Sequence, residues 1–307
     1  MGFSNEILCC GEITIDEICD AEKSGAHSVS IKLSSRNLFY GGRGANFSVF
    51  ASLFGAKVGL LGAAGGESEG RAYVSYLKGR GVDISGVFEK CQRNSKCFIF
   101  NESDAARVFF YGGALLENGK DYINHVKNEI MRRKHDAIYC TSPSQEMNSE
   151  CLSASSAEVK CYAPSSNIYT HTKKSIEACL THTDILFLNE KESGFMESLF
   201  SSSMKEIAEV FRIGIVAVTM GGQGSRIIEN GDVKVIPPSR PERVLDTTGA
   251  GDAYAGSFVA NYLRTKNIEA SARIASAAAS FVVEERGCQT NIPTQERIFR
   301  RMEEEKG

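Results

Sequence analysis

Apolar residues along the chain fall into two recurring patterns. Short apolar runs suit strands covered on both faces, and stretches with an apolar residue every three or four positions suit helices with one buried face. The runs predict strands over residues 6–10, 58–61, 137–140, 185–188, 215–219 and 225–229. The helical spacing predicts helices over 46–54, 71–80, 173–180, 203–211, 252–264 and 270–283. Their alternation is that of parallel strands joined by crossover helices, so the expected class is α/β. Two segments, 28–40 and 96–110, instead alternate apolar and polar residues without adjacent crossover helices, and they predict antiparallel strands in a separate small sheet. Such a sheet is well placed to cover a ligand crevice at the carboxyl ends of the parallel strands.

Composition narrows the setting. The chain has 307 residues, 42% of them hydrophobic and 24% charged, as expected of a folded domain in water. A net charge of −3, spread over segments of mixed sign, offers no basic stripe for nucleic acid. No stretch approaches the roughly 18 apolar residues of a membrane span, and the first ten residues lack the charged start of an export signal. A soluble, cytoplasmic chain is expected. Gly2 does not open a myristoylation signal, because position 6 is Glu6 where Ser or Thr is needed. The ten cysteines are scattered without a CxxC pair, which predicts buried thiols rather than a zinc site or a disulfide framework. No internal repeat or Pro-rich linker divides the chain, so one domain over 1–307 is expected.

The sharpest local signal is Asp246-Thr247-Thr248-Gly249-Ala250-Gly251-Asp252, a tight turn opening a helix. Small residues there let backbone N–H groups approach an anion, and a helix N-terminus favours negative charge. A carboxylate at that mouth can take a proton while the amides hold a moving phosphoryl group. An ordinary Gly-capped turn is the plainer alternative. Gly41-Gly42-Arg43-Gly44-Ala45-Asn46 also opens a helix, and an amide such as Asn46 can both donate to and accept from a diol. Asp16 lies upstream on a strand, where the simpler reading is a turn or cap carboxylate. Asn189-Glu190-Lys191-Glu192 follows the 185–188 strand, and Glu192 there can hold hydrated magnesium near phosphates, against the alternative of a solvated charge run. Thr219-Met220-Gly221-Gly222-Gln223-Gly224 follows the 215–218 strand and also suits a hairpin. Gly65 to Ala72 has the glycine spacing of a P-loop without its Lys and Ser/Thr, and no intact GxGxxG occurs.

These motifs together resemble the ribokinase-like (pfkB) family of carbohydrate and nucleoside kinases, over residues 11–293. The resemblance implies a three-layer α/β/α fold with a central, mostly parallel sheet and a small β-sheet lid near 12–40 and 93–115. It implies ATP as phosphate donor, Mg2+ held through Glu192, and a nucleotide site at Asn189, Thr219, Gly221 and Gly224. Asp252 becomes the catalytic base, with Gly249, Ala250 and Gly251 as the anion hole. Asp16, Gly41, Gly42 and Asn46 become the sugar-binding set, and K+ is implied beside Asp246 and Thr248.

Within the family, residues 277–294 and the aromatic runs Phe98-Ile99-Phe100 and Phe109-Phe110-Tyr111 look most like archaeal nucleoside kinases, which act on the 5′-hydroxyl of inosine, guanosine, cytidine or adenosine. Aromatic Phe100, Phe109 and Tyr111 suit a flat base, or they simply pack the small sheet. Two positions depart from the family pattern, with Gly65-Gly66-Glu67 in place of Gly-x-Asp and Ala163-Pro164 in place of Asp-Pro. Ribokinase or another sugar kinase is the alternative enzyme, and a non-catalytic ligand sensor the alternative of another class. An exposed sheet edge makes a homodimer the expected assembly.

Overall fold

The computed structural model describes residues 5–21, 31–102, 105–117 and 119–305. In chain order the strands are β1 (Ile7–Gly11), β2 (Thr14–Ala21), β3 (Leu33–Gly41), β4 (Val58–Leu61), β5 (Ala63–Gly65), β6 (Phe88–Cys91) and β7 (Ser95–Glu102). They continue as β8 (Ala105–Tyr111), β9 (Ala137–Thr141), β10 (Val159–Tyr162), β11 (Ile185–Asn189), β12 (Ile215–Thr219), β13 (Ser225–Glu229) and β14 (Asp232–Ile236). Eight form one sheet in the order β14-β13-β12-β11-β10-β9-β1-β4, parallel from β4 to β12 and closed by two antiparallel strands.

This sheet is the middle of three layers. Because successive side chains point to opposite faces, Ile7 and Cys9 of β1 join the core beneath the Arg43–Leu53, Ala250–Thr265 and Ile268–Val282 helices. Leu8 and Cys10 join the other core, under the Gly119–Arg132, Gln145–Ala154 and Met204–Phe211 helices. Burial on both faces is why these strands read as unbroken apolar runs. Among the described residues, Cys9, Cys10, Cys19, Cys140, Cys151, Cys161, Cys179 and Cys288 are buried free thiols and Cys97 is half-buried. No described helix is long and apolar enough to cross a membrane.

The small sheet runs β3-β2-β7-β8. Its hairpin pairs are antiparallel, as the alternating segments predict, but the central β2–β7 pair is parallel. Residues 28–30 and 103–104 of those predicted segments lie outside the described residues. The first crossover helix begins at Arg43, three residues earlier than the apolar spacing predicts, because Gly42 at φ +91° serves as its N-cap.

Candidate active site

Where β1, β11 and β12 end, a cavity of about 580 Å³ opens beneath the small sheet. Its volume is in the range of small-molecule sites. Two helices aim their N-termini at it. The Arg43–Leu53 and Ala250–Thr265 helices start at Gly42 and Gly249, and neither start has a side-chain cap. Gly249 sits at φ +77°, and a Cβ there would come within 2.3 Å of Cys288 Sγ. The helices approach closely at Gly256, where a Cβ would lie 2.4 Å from the Phe47 carbonyl oxygen. That approach brings Asn46 Nδ2 to 2.9 Å from Asp252 Oδ2, donating to the carboxylate.

Asp252 is pushed up to about 7, chiefly by burial, with Glu12 and Glu192 adding to the rise and the Asn46 hydrogen bond and Arg43 opposing it. Asp16 is likewise pushed up to about 7 by burial, against the 3.1 Å hydrogen bond from Thr14 Oγ1 and with Glu12, Asp252 and Asp246 adding repulsion. Both carboxylates therefore change charge close to neutral pH, the property needed of a group that exchanges protons.

The cavity gathers most of the residues that the sequence singled out. Asp16, Gly42, Asn46, Asn189, Glu192, Thr219, Thr248, Gly249, Gly251 and Asp252 line it. Gly41 lies behind Asp16, where a Cβ would meet Asp16 Oδ2 at 2.0 Å, so its service is to let that carboxylate pack against the backbone. Ala250, Gly221, Gly224 and Asp246 are outside the lining, the two glycines in the turn between β12 and β13. Asp246 instead ties two loops together, its Oδ1 accepting from Thr248 N at 2.9 Å and its Oδ2 from Gly287 N at 3.1 Å. Asn189 and Glu192 form a capping box, with Asn189 Oδ1 accepting from Glu192 N and Glu192 Oε2 from Asn189 N, both at 2.9 Å.

Phe100, Phe109 and Tyr111 are not brought to the cavity. Asp16 pairs with Cys97, and Cys97 with Phe110, so those three share one face of the small sheet. Phe98 pairs with Phe109 and Lys96 with Tyr111, one step out of phase, on the opposite face. Phe100 meets Phe109 edge-on there, at 6.0 Å between centroids. Val108 and Phe110 are the members of this run that line the cavity. Sequence reading also passed over Glu12 and Arg43, whose side chains form a part-buried pair at 2.6 Å on the cavity wall. Arg43 stands inside the glycine motif itself, and its charge was the available signal.

Among the described lining residues, Glu12, Asp16, Glu192 and Asp252 face a single cation, Arg43. So acidic a wall favours entry of an anionic phosphate chain together with a cation. This fits Mg2+, which is held largely by phosphates and waters with one or two carboxylates. A half-buried carboxylate between two helix N-termini without side-chain caps, over a cleft at the ends of parallel strands, is the apparatus of phosphoryl transfer to an alcohol.

Comparison with known proteins agrees. The family model for pfkB family carbohydrate kinases matches residues 4–295. A nucleoside kinase of Methanocaldococcus jannaschii is 29% identical over 306 residues, 98% of each chain. The crystal structure of a nucleoside kinase from that organism superposes with a TM-score of 0.87 at 28% identity, covering 99% of this chain and 100% of the other. The ribokinase of Bacillus subtilis is 26% identical over 300 residues, 95% of this chain and 97% of its own. A Burkholderia thailandensis nucleoside kinase in complex with inosine shares the fold at a TM-score of 0.84 and 20% identity, covering 97% and 98% of the two chains. The chain belongs to the pfkB family of carbohydrate kinases, and it is an ATP-dependent phosphotransferase acting on an alcohol group of a sugar or nucleoside.

Proposed function

We propose that the chain is a cytoplasmic nucleoside kinase that phosphorylates the 5′-hydroxyl, with Asp252 as the base. The observation that carries this is Asp252 itself, half-buried on the cavity wall, oriented by Asn46 and pushed up to about 7 at the mouth of the Ala250–Thr265 helix. Asp252 takes the proton of the substrate hydroxyl as its oxygen bonds to the γ-phosphorus of ATP and the bond to the ADP oxygen breaks. Gly249 and Gly251 face the charge on the moving group, while the Ala250 N–H is turned to the Thr247 carbonyl at 3.3 Å, and Arg43 adds a fixed cation. Asp16 accepts from the ribose hydroxyls. Asn189 and Thr219, with the Gly221–Gly224 turn beside them, border the nucleotide. Glu192 is the residue placed to hold Mg2+ through water, and the ion when bound neutralises charge on the phosphates. Asp246 and Thr248 are the neighbours of K+.

A nucleoside rather than a free sugar is favoured by Phe110 and Val108, which offer apolar surface to a base on the Asp16 face, and by likeness to the archaeal nucleoside kinase. ATP consumption is measured with inosine, guanosine, cytidine, adenosine, ribose and fructose, and nucleosides are expected to give the higher kcat/KM. Ribose ahead of every nucleoside would replace this reading with that of a sugar kinase. The outer face of the small sheet exposes Leu38, Phe109 and Tyr111, which favours a homodimer; sedimentation as a monomer at all concentrations would remove that assembly.

A further inference from the structure

Behind the cavity wall a chain of hydrogen bonds runs from the backbone to Asp252. Tyr73 Oη donates to the Gly41 carbonyl at 2.6 Å, which leaves its oxygen to accept from Gln289 Nε2 at 2.7 Å. The same Nε2 donates to Asn46 Oδ1 at 2.8 Å, and Asn46 Nδ2 then faces Asp252 Oδ2. Tyr73, Asn46 and Gln289 are all buried, so water does not compete for these groups. Gln289 Oε1 has no partner, so the side chain acts on this network through its NH2 alone.

Each link sets the direction of the next. Tyr73 has committed its proton to Gly41, so Gln289 must present NH2. Asn46, its carbonyl oxygen occupied, must present NH2 to the carboxylate. A reversed Asn46 would turn its carbonyl oxygen on the Asp252 carboxylate, which repels it. We propose that Gln289 is a positioning residue for phosphoryl transfer, holding Asn46 with its NH2 toward Asp252. The proposal rests on Asp252 acting as the base.

The charged and titratable groups around Asp252 come from other elements: Arg43, Glu12, Glu192 and Asp16, with Cys9, Tyr139 and Cys288 closer to the core. Gln289 hydrogen-bonds none of these, so its effect reaches Asp252 through Asn46.

The test compares full-length Gln289→Met, Gln289→Glu, Tyr73→Phe and Asp252→Asn with the parent chain, measuring kcat and KM across pH together with the unfolding midpoint. Gln289→Glu keeps the shape but accepts where the amide donates, so it imposes the reversed Asn46; Gln289→Met only frees it. Expected is a loss of kcat of roughly 10- to 100-fold near neutral pH, larger for Glu than for Met, from the missing hydrogen bond to a charged group. The acid limb of kcat should move up by about one pH unit, while KM stays within about twofold of the parent value. Tyr73→Phe, which keeps the ring stacked on Tyr40, should shift the limb in the same direction by less, and it carries the test where the Gln289 variants do not fold. An unmoved limb, or a Met variant worse than Glu with the loss following stability, would mean a packing role and overturn the proposal. An inactive Asp252→Asn beside unaffected Gln289 variants overturns the proposal alone; an active Asp252→Asn overturns the base reading and the proposal with it.

Discussion

Replacing Asp252 by Asn separates its chemical cost from its structural one. The carboxamide fills the same space and can still accept from Asn46, so binding of ATP and of substrate should persist. It takes no proton, and loss of a general base costs roughly 10² to 10⁴ in turnover. Stability should move the other way. Burial raises the Asp252 pKa from its ordinary 3.8 to about 7, so between those values the folded chain holds a proton that the unfolded chain has lost. Stability therefore falls as pH rises through that window, and above about 7 the ionised carboxylate carries the full burden. The gap between the two values corresponds to up to roughly 4 kcal/mol. The variant should be inactive yet harder to unfold at about pH 8, with the gain vanishing near pH 4. Turnover follows from coupled ADP release, binding from titration calorimetry, and stability from denaturant unfolding at both pH values. Turnover within about tenfold of the parent would refute the base assignment. A lower midpoint at the alkaline pH would refute the claim that this charge is buried at a cost.

The other expectations concern the substrate side and the helix mouth. Asp16→Ala should raise the nucleoside KM roughly tenfold or more through loss of a charge-assisted hydrogen bond, with kcat less affected; an unchanged KM in initial-rate assays moves the ribose elsewhere. Phe110→Ala should weaken nucleoside affinity roughly 5- to 150-fold, as loss of base stacking does, while Phe109→Ala on the opposite face should leave it unchanged; calorimetry with inosine gives both, and the reverse order would place the base on the outer face. Gly249→Ala forces a Cβ toward Cys288 at φ +77° and should lower stability by about 1–3 kcal/mol and reduce turnover, and a variant with the parent's unfolding curve would show that the turn does not need glycine.

Much of the fold is legible in the chain because its signals are local. Apolar runs mark β4 and β12 to the residue, since a strand covered on both faces has few polar positions to interrupt it, and the Ile227-Ile228 pair marks β13 although Ser225, Arg226 and Glu229 flank it. The less apolar β14 and the helices at Gly119–Arg132 and Gln145–Ala154 escape the same reading, because their burial depends on partners supplied from elsewhere. Asp252, Asn46 and Asp16 are legible as candidates because glycine turns and a nearby carboxylate lie within a few residues of one another.

What only the tertiary structure decided are the relations between distant segments. Register in the small sheet sends Phe110 to the cavity and Phe109 and Tyr111 away, a parity that a run of three aromatics cannot reveal, since one step of slip exchanges the faces. Glu12 meets Arg43 across 31 positions, and Gln289 meets Asn46 across 243. The raised proton affinity of Asp252 and Asp16 comes from burial beneath those segments and from neighbouring carboxylates, Glu12 and Glu192 at Asp252, and Glu12, Asp252 and Asp246 at Asp16. Propensity and capping act between neighbours in the chain, whereas desolvation and charge act through space, and which groups share that space is set only once the helices and sheets have packed.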